Sequence, residues 1–196
     1  MSLFDLSLPP GLIFVSNWLS ESEHADAVSE IDSLPFDTSL ARRVQQYGAR
    51  YDYSHASVQE LGSAPEIPPV LQMIGIRLFN EGYFPKTPDQ VIVNEYIENQ
   101  GIAAHIDRMT FGEAVATISL LETWPMDFES ASGERIEVVL EVKSLAVMTG
   151  KSRSEWTHAI AKRKSDLIGG LRRPRGRRIS LTYRTIPSDQ NDLIRI

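Results

Sequence analysis

The spacing of apolar residues changes character near residue 90. Before it, Val28, Ile31 and Leu34 share one face of a segment that Ser20 and Glu23 open as a capping-box pair and Pro35 closes, which predicts a helix. Val70, Leu71, Ile74 and Leu78 repeat that spacing after Pro68 and Pro69 and predict a second helix ending around Gly82. Between the two, RRVQQYGARYDYS alternates aromatic and polar residues around Gly48, the pattern of two strand pieces joined by a turn or bulge. From Gln90 onward the period falls to two. QVIVNEYI, EAVATISLL, ERIEVVLEV, SLAVMTG and RRISLTYRT are short, rich in Val, Ile and Thr, and separated by Gly, Pro or Ser. Many short strands without long helices between them predict an antiparallel barrel or jelly roll: a mainly β chain with flanking helices, α+β in class.

Composition narrows this picture. A chain of 196 residues that is 42% apolar fills one core, so a single domain over 1–196 is expected, with its helices before about residue 88 and its β core over about 89–190. The absence of cysteine removes disulfides, thiolate nucleophiles and sulfur-ligated metals, so any metal must rest on His, Asp or Glu. No basic stretch runs into a long apolar segment at the start, and no apolar run reaches membrane-spanning length. A soluble, cytoplasmic chain with no membrane partner, a monomer, is the expectation.

The candidate chemistry lies in NEYIENQGIAAHID. Alternation puts Asn94 and Tyr96 on one strand face, and His105 and Asp107 are again two apart, so that both can address one centre. An imidazole and a carboxylate suit Fe(II), Mn(II) or Zn(II); as a bare pair they read equally well as exposed polar residues or one hydrogen bond. SEWTHAI adds His158 between apolar neighbours, either a third ligand or a core histidine bonded to backbone. In RRISLTYRT, Arg178, Ser180, Thr182 and Arg184 fall on one face. Either two guanidinium groups await an anion inside the fold, or a surface strand makes salt bridges to the acidic body.

Taken together, NEYIENQGIAAHIDR, SLAVMTGKSRSEWTHAI and RRISLTYR resemble, in this order, the AlkB-like iron(II) and 2-oxoglutarate dependent dioxygenases, over a region from about residue 44 to 186. The resemblance implies a double-stranded β-helix core in which His105, Asp107 and His158 are both the metal ligands and the catalytic set. It also implies cofactor contacts from Arg178 to the distal carboxylate of 2-oxoglutarate, from Asn94, Tyr96 and Ser180 beside it, and from Arg184 to the carboxylate near the metal. Ser180 stands where many members have Asn. The implied cofactors are Fe(II), 2-oxoglutarate and O₂ as co-substrate. The implied reaction converts 2-oxoglutarate to succinate and CO₂ and hydroxylates a C–H bond, with loss of formaldehyde where that bond belongs to an N-methyl group.

The resemblance extends to the substrate. YGARYDY occupies the place of a lid over a target base, with Tyr47, Tyr51 and Tyr53 as stacking surfaces; a β-hairpin with aromatic packing is the alternative. Arg108 and Met109 follow the metal Asp and complete the expected substrate contacts. DNA-repair members carry an acid where Met109 stands, which points away from them, while YGARYDYS and EWTHAIAKRKSD look closer to the branch that modifies transfer RNA. Between Lys151 and Arg184 the chain carries 11 basic residues against Glu155 and Asp166, in a chain of net charge −6. That segment is expected either to hold a nucleic-acid backbone or to be a solvated loop balanced by the acidic body. Nucleic acid, RNA or DNA, is the expected partner; a protein side chain is the alternative substrate.

Overall fold

The computed structural model describes residues 8–52, 55 and 57–187. Two antiparallel sheets face one another as a double-stranded β-helix. The larger has six strands in the order β1 (Leu12–Val15), β10 (Leu145–Met148), β7 (Val115–Leu120), β14 (Arg178–Arg184), β5 (Gln90–Tyr96) and β2 (Arg43–Tyr47). The smaller runs β6 (Ile102–His105), β11 (Trp156–Ile160), β8 (Trp124–Ser130) and β9 (Arg135–Leu140). Two hairpins stand apart from these sheets: β3 (Ala49–Asp52) with β4 (Ser57–Leu61), and β12 (Ser165–Ile168) with β13 (Leu171–Pro174). The N-terminal part of the chain supplies both outer strands of the large sheet, β1 and β2, as well as the helices that cover it.

Helix α1 (Glu21–Asp32) begins where the capping box places it: the Ser20 hydroxyl accepts from the Glu23 amide at 3.2 Å, and the Glu23 carboxylate accepts from the Ser20 amide at 2.8 Å. It ends before Leu34, which nonetheless packs on the core from outside the helix. Helix α2 (Pro69–Asn80) has proline in its first turn, and its free amides are met from α1. The Glu30 carboxylate accepts from Val70 and Leu71 at 3.0 and 3.1 Å, so an acid of one helix satisfies the positive end of the next. Both helices lie on the outer face of the large sheet, where Ala27, Ile31, Leu71, Ile74 and Leu78 bury against it.

Strand β14 organises the rest. It pairs with β5 over its whole length and with β7 from Ile179 to Arg184, and its alternation is complete. Ile179, Leu181 and Tyr183 bury into the helix-covered core, where the Tyr183 hydroxyl donates to the Leu71 carbonyl at 2.9 Å. Arg178, Ser180, Thr182 and Arg184 therefore face the small sheet, opposite Tyr96, Asn94, Ile92 and Gln90 of β5. The short helix α3 (Gly150–Ser154) joins β10 to β11.

Four segments differ from the sequence reading. WPMDFES is a full strand, β8, although Pro125 lies inside it; the proline sits beyond the end of the pairing with β11, where its missing N–H removes no ladder bond. IAAH and WTHAI are likewise strands, β6 and β11. Within the basic segment, for which no strand was expected before RRISLTYRT, the chain forms the β12–β13 hairpin, closed by Gly169 and Gly170 at φ of 58° and 78°, as a two-residue turn of the primed type requires.

Gly48 is the hinge between β2 and β3. Its φ is +79°, and a Cβ there would lie 2.0 Å from the Asp89 carbonyl oxygen, a backbone atom that cannot step aside. Gly48→Ala is expected to lower the free energy of unfolding by about 1–3 kcal/mol from backbone strain alone, before the clash is counted. A denaturant titration with an unchanged midpoint would contradict this.

Candidate active site

The end of β6 and the middle of β11 are cross-strand partners, and this brings His105 opposite His158 with ring centroids 4.3 Å apart. Asp107, two residues past His105, turns back to the same point, so that the three side chains offer ligand atoms all within 4.8 Å of one another. His105 Nδ1 lies 2.8 Å from the Ala103 carbonyl oxygen. A carbonyl only accepts, so Nδ1 carries the proton and Nε2 keeps its lone pair for another partner. His158 Nε2 is 3.6 Å from Asp107 Oδ2, and its Nδ1 is buried with no partner among the described residues.

The electrostatics suit a cation at this point. Burial pushes His158 down to about 4, so the ring is neutral at neutral pH, as a ligand must be. Burial alone would raise the Asp107 carboxyl. The nearby Arg184, the two imidazoles and Arg153 together outweigh it and hold the group below the usual carboxylate range. Arg184 Nη2 donates to Asp107 Oδ1, while its guanidinium lies 4.5 Å over the Phe111 ring. Two imidazoles and one carboxylate on one side of a point fit a borderline divalent ion and leave its other positions open.

Behind the triad a cavity of about 1160 Å³ opens between the sheets, lined on the large-sheet side by Asn94, Tyr96, Thr117, Arg178, Ser180 and Thr182. Arg178 is 1% exposed. Its Nη2 donates to the Ser119 hydroxyl at 2.8 Å, its Nε is buried without a partner, and no carboxylate pairs with it among the described residues. Burial lowers this guanidinium to about 10, yet it keeps its charge at neutral pH. A cation so placed, on a cavity wall, is the signature of a site for an anion. Asn94 Oδ1 accepts from Arg42 Nε at 2.8 Å.

Of the residues expected to meet the substrate, the structure brings some to the cavity and others not. Tyr51, Arg108 and Met109 line the cavity, Tyr51 with its ring 6.0 Å from Phe111 and Met109 with 71% of its surface exposed. Tyr47 does not. Its pairing with β5 turns it to the helix-covered face, where it is 6% exposed, donates to Gln45 Oε1 at 3.0 Å and has its hydroxyl pushed up to about 12 by burial. Tyr53 lies outside the described residues. The basic segment is also not one surface. Arg163 and Arg175 pair with Asp166, Arg177 pairs with Asp32 and Glu95, and Arg153, Arg178 and Arg184 face inward.

Arg153 escaped the sequence reading altogether. Buried on α3, it donates to the carbonyls of Asp107 and Arg108 at 2.7 Å each, fixing the backbone that presents Asp107. Ser119, the hydroxyl beside Arg178, was missed too; only its register opposite Ser180 marks it.

The profile of the 2OG-Fe(II) oxygenase superfamily matches residues 11–184. The tRNA (carboxymethyluridine(34)-5-O)-methyltransferase ALKBH8 of Mus musculus is 33% identical over 92% of this chain, which spans 31% of that protein. The Alkylated DNA repair protein ALKBH8 homolog of Arabidopsis thaliana is 27% identical over 95% of this chain and 61% of its own. Among solved structures, OsALKBH1 superposes with a TM-score of 0.72 at 21% identity, covering 91% of this chain and 98% of that one, a likeness of fold.

His105→Ala removes a donor and little core volume. Titration of the protein with Mn(II) without oxygen is expected to show affinity lowered by about two orders of magnitude or more, with the unfolding midpoint little changed. Equal Mn(II) affinity in the variant would place the metal elsewhere.

Proposed function

The chain belongs to the 2OG-Fe(II) oxygenase superfamily, and from that premise we propose that it hydroxylates or oxidatively demethylates a nucleic-acid base, using Fe(II), 2-oxoglutarate and O₂. One observation carries the reading: a buried guanidinium with no counter-charge among the described residues, Arg178, stands on the wall of the same cavity as the His105, Asp107 and His158 cluster. Iron with 2-oxoglutarate and O₂ supplies the oxidising power, converting the keto acid to succinate and CO₂ while one oxygen atom enters a C–H bond of the substrate.

The chain's own residues bind, orient and shield. His105, Asp107 and His158 hold the metal from one side. Arg178, with the Ser119 hydroxyl fixing one of its nitrogens, receives the distal carboxylate of the keto acid, and Tyr96, Asn94 and Ser180 complete that end. Arg184 orients Asp107 through their shared hydrogen bond and lends positive charge to the carboxylate end nearest the metal. Arg153 holds the Asp107 and Arg108 carbonyls, so the ligand's backbone does not shift when the keto acid enters.

A nucleobase as substrate is supported by what the relatives are named for, tRNA and alkylated DNA, and by the cavity itself. Its volume exceeds what a small keto acid fills, and Tyr51 and Phe111 contribute aromatic rings to its lining. Met109 in place of an acid favours RNA over the repair of methylated DNA bases.

The test is product analysis. Iron-loaded protein is incubated with mixed cellular RNA, DNA and protein, and the digests are compared by mass spectrometry. A nucleoside that gains one oxygen or loses one methyl group, with matching succinate, is the expected result. Oxygen appearing only in peptides would overturn the nucleic-acid reading in favour of a protein substrate.

A further inference from the structure

The β12–β13 hairpin is the strongest feature outside the cavity. Its root is locked. Asp166, 2% exposed, accepts from Arg163 Nε at 2.5 Å and from both Nε and Nη2 of Arg175 at 2.6 and 2.8 Å. The Arg175 guanidinium also stacks 4.1 Å over the Trp124 ring and donates to the Ala161 carbonyl at 2.6 Å. Two of the segment's arginines are therefore consumed in fixing the hairpin to the core.

Beyond that root the charges are unspent. Between Ala161 and Arg178 the only acid in the sequence is Asp166, and it is fully occupied. Lys162, Lys164, Arg172 and Arg173 are exposed and form no ion pair among the described residues; Arg172 reaches only the Ser165 hydroxyl, at 2.9 Å. At the tip Leu167 and Leu171 are 63% and 64% exposed. The ribbon also stands at the cavity. Lys162 lines it, the Arg163 carbonyl accepts from the amide of Asn99, another lining residue, and β11, which carries His158, leads directly into the hairpin.

We propose that the β12–β13 hairpin is a phosphate-binding ribbon: Lys162, Lys164, Arg172 and Arg173 hold the backbone of the RNA whose base enters the cavity, and Leu167 and Leu171 pack on its unstacked bases. The inference rests on the nucleobase reading given above. An anchored root is what makes the ribbon specific in position rather than a floating basic tail, because cations held at a fixed place along the rim set which nucleotide reaches the metal. Exposed cations beside apolar side chains suit a single strand or loop, where phosphates and base faces are presented together. An acidic protein segment would satisfy the cations but would leave the two exposed leucines without flat partners.

The test compares the whole protein with Lys164→Ala/Arg172→Ala/Arg173→Ala, which alters the exposed ribbon and leaves Asp166, Arg163 and Arg175 in place. A charge-matched control, Lys86→Ala/Arg135→Ala/Lys143→Ala, removes the same number of cations elsewhere. Binding of a fluorescent RNA stem-loop is followed across a salt series, with polyglutamate as the competing polyanion, and succinate formed without added substrate reports an intact iron site. The ribbon variant is expected to bind about tenfold more weakly near physiological salt and to lose about 2 from the slope of log affinity against log salt. The control variant and the substrate-free succinate rate should stay near wild type. Equal RNA affinity and slope in the ribbon variant, or displacement of the RNA by equivalent polyglutamate, would overturn the ribbon and leave the nucleobase reading standing. A wild-type protein that binds neither the RNA stem-loop nor single-stranded DNA at any salt would sink both.

Discussion

A guanidinium removed from water without a counter-charge costs several kcal/mol, and β14 places one at the centre of the fold. Arg178 has a serine hydroxyl for company, where Arg175 has Asp166, Arg184 has Asp107 and Arg153 has two backbone carbonyls. The strand tolerates this because its other face is wholly apolar. Ile179, Leu181 and Tyr183 bury completely beneath α1 and α2, so that strand position and register are set by the core while the inner face is free to carry charge. The fold thus separates its tasks by strand face: the hydrophobic effect acts outward and the chemistry points inward.

The same separation explains how the ligand cluster is assembled from distant parts. His105 and His158 meet because β6 and β11 pair, Asp107 because the chain turns back after β6, and Arg153 because α3 lies directly before β11. Two of the three ligands are held by something other than a metal: His105 by the Ala103 carbonyl, Asp107 by Arg184 and by the grip on its own backbone. Such support pre-organises the cluster, which lowers the entropy lost when an ion binds.

What the sequence revealed follows from which interactions are local. The capping box of Ser20 and Glu23, the strand alternation of RRISLTYRT and the shared direction of His105 and Asp107 all arise within a few residues, and all were readable. His158 was ambiguous alone, since an imidazole among apolar neighbours looks the same whether it faces a metal or a backbone carbonyl; the family resemblance selected it. Tyr47 was misread because its facing is fixed by pairing with β5, which no pattern inside RVQQY encodes. The direction of the basic segment's charges was not readable because counting charge gives none: seven of its cations turn inward or pair with acids, and the other four lie on or just before the hairpin. Strand β8 was missed because Pro125 interrupts its local signal while its partners supply the ladder.

The central claim is that Arg178 and the His105, Asp107 and His158 cluster hold the two ends of one small dicarboxylate. It is tested most directly by calorimetric titration of the Mn(II)-loaded protein, without oxygen, with 2-oxoglutarate and with 2-oxovalerate, which lacks the distal carboxylate. Wild type should prefer the diacid strongly. Arg178→Ala should lose about 2–5 kcal/mol of diacid binding, as when one member of a buried charge pair is removed, while its affinity for the monoacid is retained. A variant that keeps the full preference for the diacid would contradict the account.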